Sequence, residues 1–229
     1  MTLDIVIPTL NREKKLTGCV ESIKRFKEDY DITLHLYFSD TREIEKFKKY
    51  YDLDWIKYGF TLYKKCSDFW NEHLLNMKAD AMCYLNDDII LQDNTLEKIV
   101  EIFPKQFPNY DGVMGLNQNN LPQDQVVKAA FGIIGTNYAN RFPERQVFCP
   151  DYYRFYEDLE IYLYANKIGK FYFNKDIGII HHHPSHGYNS DETHRLVRKY
   201  RAKDSHTFGV RGNKTLLWGE SFELIEGKI

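Results

Sequence analysis

Short apolar runs alternate with stretches carrying apolar residues at helical spacing through the first half of the chain, and this rhythm constrains the fold more than any other feature. Leu3 to Ile7 reads as a buried strand ended by Pro8, and Leu16 to Phe26 as the helix after it. Ile32 to Phe38 is a second strand, Arg42 to Tyr51 a charged helix, and Phe60 to Tyr63 a third strand. Asp68 to Met77 is a helix with Phe69, Leu74 and Met77 on its core face, and Ala81 to Leu85 a fourth strand running into Asn86-Asp87-Asp88. A strand–helix rhythm of this kind builds a doubly wound parallel sheet. Right-handed crossovers bring the C-terminal ends of such strands to one edge, where Thr9, Asp40 and Asp88 can converge.

The second half has a different texture. Asp111 to Leu116 and Phe131 to Gly135 read as strands, and Glu157 to Asn166 as a helix with Leu159, Tyr162 and Leu163 inward, stopped near Gly169. Phe171 to Phe173 and Ile177 to Ile180 are two further extended segments, the latter ending in His181-His182-His183-Pro184. From about Ser185 the chain is polar and basic, with Arg195, Arg198, Lys199, Arg201 and Lys203 close together. The simplest division is one mixed α/β domain over residues 1–184, followed by a C-terminal extension over 185–229, a possible lid or acceptor-binding segment.

A chain of 229 residues is ample for a full core. The net charge of −2 argues against a general nucleic-acid binder while leaving room for a local basic patch. Cys19, Cys66, Cys83 and Cys149 have neither metal-ligand nor redox spacing, so reduced buried thiols in a cytoplasmic protein are expected. The N-terminus lacks the apolar stretch of a signal peptide, and no run approaches the roughly 20 apolar residues that span a bilayer.

Two carboxylates, Asp87 and Asp88, are flanked by apolar residues on both sides. Such a pair is costly unless it faces solvent or a cation, and a hard divalent ion takes one or two carboxylates together with phosphates. Asn-Asp-Asp is equally good turn chemistry. Glu157 and Asp158 at a helix start are favoured by the helix dipole, or supply a general base. In the histidine run, His181 and His183 share one side of an extended segment, as metal ligands or as a surface cluster.

Taken in order, IVIPTLNRE, the strand-end Asp40, YLNDDIIL and FYEDLEIYLYANKIGKFYFNKDIGIIHHH resemble glycosyltransferase family 2 and its GT-A fold over roughly residues 3 to 184. The resemblance implies a mixed sheet flanked by helices, with Pro8, Thr9, Asn11 and Arg12 in the turn against the nucleotide and Asp40 on the base or ribose. It implies donor contacts from Asn71, Asn86 and Asp87, with Asn86 standing where a third acid is common in the DXD motif. Asp88 and His181, with His183 as the alternative histidine, would hold Mn2+ or Mg2+; Asp158 would be the catalytic base and Glu157 its positioning neighbour. The implied reaction is inverting transfer from a nucleotide sugar, a UDP-sugar being favoured, to an acceptor hydroxyl.

The tail DETHRLVRKYRAKDSHTF resembles extensions on small stand-alone members of the family, many of them viral. Some viral members modify hydroxymethylated DNA bases, so DNA joins glycans as a candidate acceptor; oligomeric state stays open. Two rivals share parts of the pattern. A nucleotidyltransferase or other metal-dependent phosphoryl-transfer enzyme shares the acids and histidines, but Glu157-Asp158 is less expected in it, and a non-catalytic nucleotide-sugar-binding module would be favoured by missing acids, which are present here.

Overall fold

The computed structural model describes the whole chain except residues 11, 63–64, 214–216 and 221–229 and the side chain of residue 213. Asn11 and the end of the strand expected at Phe60 to Tyr63 therefore fall outside the described residues.

The strands are β1 (Leu3–Thr9), β2 (Ile32–Phe38), β3 (Ile56–Phe60), β4 (Ala81–Tyr84), β5 (Ile89–Leu91), β6 (Val113–Gln118), β7 (Gly132–Gly135) and β8 (Phe171–His181). The helices are α1 (Glu13–Lys24), α2 (Thr41–Lys48), α3 (Cys66–Asn76), α4 (Thr95–Gln106), α5 (Thr136–Ala139), α6 (Glu157–Lys167), α7 (Glu192–Arg198) and α8 (Arg201–Asn213). All eight strands form one sheet in the order β3-β2-β1-β4-β7-β6-β8-β5. The first four run parallel, whereas β7 and β5 lie antiparallel to their neighbours. The mixed α/β sheet expected from the sequence is thus present, with its parallel half built from the strand–helix repeats.

The alternation of side chains along a strand sorts the core into two layers. Ile5, Ile7, Leu34, Leu36 and Cys83 face α1, α2 and α4, meeting Leu16, Val20, Phe47, Ile99 and Phe103. Val6, Met82 and Tyr84 face the other way, toward Phe69, Trp70 and Leu74 of α3 and Ile161 and Tyr164 of α6. Burial on both faces explains why β1 and β4 read as continuous apolar runs. All four cysteines are buried and free. No described helix is long and apolar enough to cross a membrane.

Several sequence expectations shift. Pro8 does not end β1, because the strand runs on to Thr9; β4 pairs with β1 only as far as Val6, so a missing N–H at Pro8 leaves no ladder partner on that side. The third strand lies earlier, at Ile56–Phe60, where an edge position lets Lys57 alternate outward and hides the apolar pattern. The two segments expected at Phe171 to Phe173 and Ile177 to Ile180 are one strand, β8, whose register against β6 slips between Gly115 and Asn117. On α6 the buried residues are Glu157, Glu160, Ile161, Tyr164 and Ala165, not Leu159, Tyr162 and Leu163. The face is set by Glu160, which is buried because Arg211 (Nε to Oε1, 2.7 Å) and the Tyr152 hydroxyl (2.8 Å) satisfy it.

The C-terminal segment packs onto the sheet domain as α7 and α8. Asp204 of α8 is fully buried and accepts hydrogen bonds from the backbone N–H groups of Tyr153 (3.0 Å), Arg154 (2.9 Å) and Phe155 (3.0 Å). The basic side chains Arg195, Arg198, Lys199, Arg201 and Lys203, on and between these helices, remain exposed.

Candidate active site

The site grows from the end of β4. Asp87 and Asp88 follow it, and β5 then pairs antiparallel with β8 so that Ile89 lies opposite His181. The His182 N–H donates to the Asp88 carbonyl at 2.9 Å, which closes the ladder and brings the His181 ring beside the Asp88 carboxylate. His181 Nε2 is 3.4 Å from Asp88 Oδ1, and both atoms are buried without a hydrogen-bond partner. The other ring nitrogen, Nδ1, meets Gln118 Oε1 from the end of β6 at 3.0 Å. With that oxygen accepting, Nδ1 carries the proton and Nε2 presents its lone pair toward Asp88. Asn120 clasps the His181 backbone on both sides, donating to its carbonyl at 2.8 Å and accepting from its N–H at 3.2 Å.

Arg12 lies across the two acids. Its Nη1 is 2.8 Å from Asp87 Oδ1 and 3.2 Å from Asp88 Oδ2, while Nε is 3.0 Å from Asp191 Oδ2. The Thr9 hydroxyl donates to Asp87 Oδ2 at 2.9 Å. Burial works against ionisation of Asp88, but the adjoining imidazoles of His181 and His194 and the charge of Arg12 outweigh it and hold the carboxyl well below its ordinary range. Burial likewise opposes the Arg12 charge and is overcome by Asp87 and Asp88, which raise its pKa.

Helix α7 caps this assembly. Asp191 and His194 form a capping box, and His194 Nε2 reaches within 3.6 Å of Asp88 Oδ2 and 2.8 Å of Arg12 Nη2. Thr193 donates to the Leu10 carbonyl at 3.0 Å. His194 and Gln118 were not among the candidates read from the sequence. The spacing Asp191-x-x-His194 at a helix start was the available signal for the first, and Gln118, at an apolar strand's end, offered none.

Asp88, His181 and His183 line a cavity of about 430 Å³ together with Glu157 and Asp158, Asn86 and Arg154. The His183 ring lies 5.0 Å from that of His181, whereas His182 turns away against Tyr188. Burial, then the charges of His181 and His194, push His183 down to about 4. In the same lining, burial followed by the charge of Asp158 lifts Glu157 to about 8. Burial lifts Asp158 to about 6, restrained by the Leu159 N–H that donates to its Oδ1 at 2.9 Å. The two carboxyls are thus raised unequally, Glu157 to above neutral pH and Asp158 to below it. Tyr156, just before them, has a positive φ of 78° and stacks on Phe208 of α8 with ring centroids 4.9 Å apart. Backbone strain of this kind beside a cavity often accompanies a functional group.

A second cavity of about 400 Å³ shares the walls formed by Arg12, Cys66, Arg154, Thr193 and Val197 and is lined by Pro8, Thr9, Ser39, Tyr37 and Asp87. Asp40 lines neither of these. It caps α2, accepts from the Arg42 N–H at 2.9 Å and its guanidinium, and borders a separate cavity of about 310 Å³ that also touches Thr9 and Arg12. Asn71 is spent on the backbone of Phe148, donating to its carbonyl at 2.7 Å and accepting from its N–H at 2.9 Å.

The sequence from residue 4 to 156 matches the pattern of the family described as glycosyl transferase family 2. The chain belongs to that family. No curated protein matches it significantly. Among solved structures, this family 2 chain is similar in fold to residues 1–349 of S. aureus TarS, with a TM-score of 0.58 and 14% identity over 78% of the chain and 59% of that structure. The TarS complex with UDP-GlcNAc has a TM-score of 0.55 and 15% identity, covering 78% of the chain and 57% of that structure. A mannosyltransferase from Pyrobaculum calidifontis, in complex with GDP-Man and Mn2+, has a TM-score of 0.64 and 11% identity over 88% of the chain and 61% of that structure. The family 2 chain thus has a GT-A fold and spans about three-fifths of the length of these structures.

The residues at the end of β4 fit a divalent cation. A buried histidine nitrogen and a buried carboxylate oxygen, each without a hydrogen bond, face one another beside a cavity, and a Gln118 contact orients the ring. Two protein ligands with the remainder supplied by diphosphate is the usual economy of a Mg2+- or Mn2+-type site.

Proposed function

We propose that the protein transfers a sugar from a nucleotide-sugar donor to an acceptor hydroxyl, with a divalent cation, Mn2+ or Mg2+, and inversion at the anomeric carbon. The observation that supports this most is that Asp88–His181 and Glu157–Asp158, from distant parts of the chain, open into one cavity. A phosphoryl-transfer enzyme shares the first pair, and the second is less expected in it.

Asp88 and His181 would hold the cation, with His183 and His194 at hand. When bound, the cation offsets the negative charge that builds on the departing diphosphate. Pro8, Thr9, Ser39 and Asp87 border the neighbouring cavity and receive the nucleoside. A UDP-sugar is the favoured donor. Asp158 takes the acceptor proton as the hydroxyl attacks, and Glu157, protonated at neutral pH, donates a hydrogen bond that positions the acceptor. Arg198 and Arg201 stand at the mouth of the cavity and suit an acceptor carrying phosphate, such as DNA with a hydroxymethylated base or an anionic glycan.

Thermal shift with a panel of nucleoside diphosphates and nucleotide sugars, with and without Mn2+, reads the donor. Product analysis with the best donor then decides the reaction. Release of nucleoside diphosphate with a glycosylated acceptor supports transfer; release of pyrophosphate or sugar phosphate overturns it.

A further inference from the structure

A second cluster of metal-ligating side chains lies at the other end of β1. Asp4 stands five residues before Thr9, about 17 Å away along an extended strand. In the parallel register of β1 and β2, Val6 is paired with His35, so Asp4 and His35 face the same layer, the one covered by α3. His73, from the last turn of α3, meets them there. Asp4 Oδ2 is 3.0 Å from His73 Nε2 and Asp4 Oδ1 is 3.4 Å from His35 Nε2. The two imidazole centroids are 4.4 Å apart, and one ligand atom from each of the three residues lies within 4.8 Å of the others. Among the described residues this is the one group of three or more histidine, cysteine or carboxylate side chains so closely gathered.

The chemistry of the three is that of a metal site. Ligands held about 2.1 Å from a tetrahedral ion are about 3.4 Å from one another, close to the spacing here. Tyr37 Oη lies 3.1 Å from His73 Nδ1 and can accept its proton, leaving Nε2 to face Asp4, the outer contact that histidine ligands ordinarily have. His35 Nε2 is buried without a hydrogen bond. The cluster borders a cavity of about 520 Å³ that also touches Glu72 and Asp31, leaving space for a further ligand.

We propose that Asp4, His35 and His73 form a binding site for a transition-metal dication of the Zn2+ class, distinct from the Asp88–His181 pair. Two imidazoles favour such an ion over Mg2+ or Ca2+, which take oxygen ligands. Its effect is to tie α3 to β1 and β2. That helix also carries Cys66, Phe69 and Trp70, which line the two cavities at the opposite sheet edge. The bound ion therefore stiffens a shared wall of the active site without taking part in the reaction.

The test removes the other site first. The Asp88→Ala/His181→Ala protein is titrated with Co2+, followed by its visible absorption, and then with Zn2+ as competitor. One equivalent of Co2+ per chain, displaced by Zn2+ and raising Tm, is expected. Adding His35→Gln to that background should abolish or sharply weaken binding, because even an outer-contact loss costs about 10–100-fold in affinity. Tyr37→Phe, which removes a single hydroxyl, should weaken it within that range while keeping the fold. Absence of Co2+ binding in the double variant overturns the proposal. Affinity unchanged by both His35→Gln and Tyr37→Phe overturns it equally, since the three residues would then be a hydrogen-bonded cluster alone.

Discussion

His181 Nε2 and Asp88 Oδ1 face each other across 3.4 Å in the interior, and neither has a hydrogen bond. Two buried polar atoms left in this way are costly unless something joins them. The Gln118 side chain, 3.0 Å behind the ring on Nδ1, orients it. Replacing Gln118 with Leu should weaken Mn2+ binding in the presence of nucleoside diphosphate by about 10–100-fold. Asp88→Ala should abolish it. Calorimetric titration of Mn2+ against each variant measures both, and an Asp88→Ala protein that binds as wild type does would remove the cation from this site.

Asp158 is the carboxylate assigned to the acceptor proton. Asp158→Asn keeps the shape and should lower turnover by about 10²–10⁴-fold while donor affinity holds. In the wild-type protein, transfer should fall on the acid side as Asp158 protonates near pH 6. Steady-state rates across pH with calorimetry for the donor separate the two effects. Loss of activity in Glu157→Gln with retention in Asp158→Asn would exchange the roles.

Glu157 is proposed, by contrast, to stay protonated near neutral pH. Its carboxyl rises from 4.5 to about 8 in the folded protein. A raised carboxyl contributes stability below its unfolded value, and that contribution is lost as pH climbs through the folded value. Wild-type Tm should therefore decline between pH 5 and pH 9 by more than that of Glu157→Gln. The gap should reach about 5 °C or more at pH 9 for a chain of this size. Parallel melting curves from pH 5 to pH 9 show it directly.

Asp204 holds three consecutive backbone donors of the loop that leads into α6. Asp204→Ala leaves them buried without an acceptor, at a cost of about 1–3 kcal/mol for each that finds no other partner. Tm should drop by at least about 4 °C. Transfer should fall further than stability accounts for, because Phe208 of the same helix stacks on Tyr156 beside Glu157. Hydrogen exchange at residues 153–155 should quicken in the variant; unchanged exchange would detach α8 from the site.

Much of the architecture was legible from local pattern. The strands β1 and β4 are buried on both faces, so their apolar runs survive any register, while β2 shows the period of two of a strand buried on alternate residues, and the family motifs mark the ends of the same strands. Where burial depends on a distant partner, pattern misleads. Ile89-Ile90-Leu91 is too short to announce a strand, yet β5 is what carries His181 to Asp88. Glu160 looks solvent-facing and is buried, because Arg211 and Tyr152 arrive from elsewhere. Asp40, at the expected strand end, turns instead into its own helix cap.

Sequence by itself determined which residues have the chemistry: the acids after β4, the pair opening α6 and the histidines closing β8. Their order follows from the strand–helix repeat, and each local propensity is set within a few residues. Tertiary structure alone decided that these groups meet in one cavity, that Gln118 and His194 join them, and that burial raises Glu157 further than Asp158. The physical reason is that desolvation and charge act through space. They depend on what other segments of the chain bring within a few ångströms, and spacing along the sequence carries no record of that.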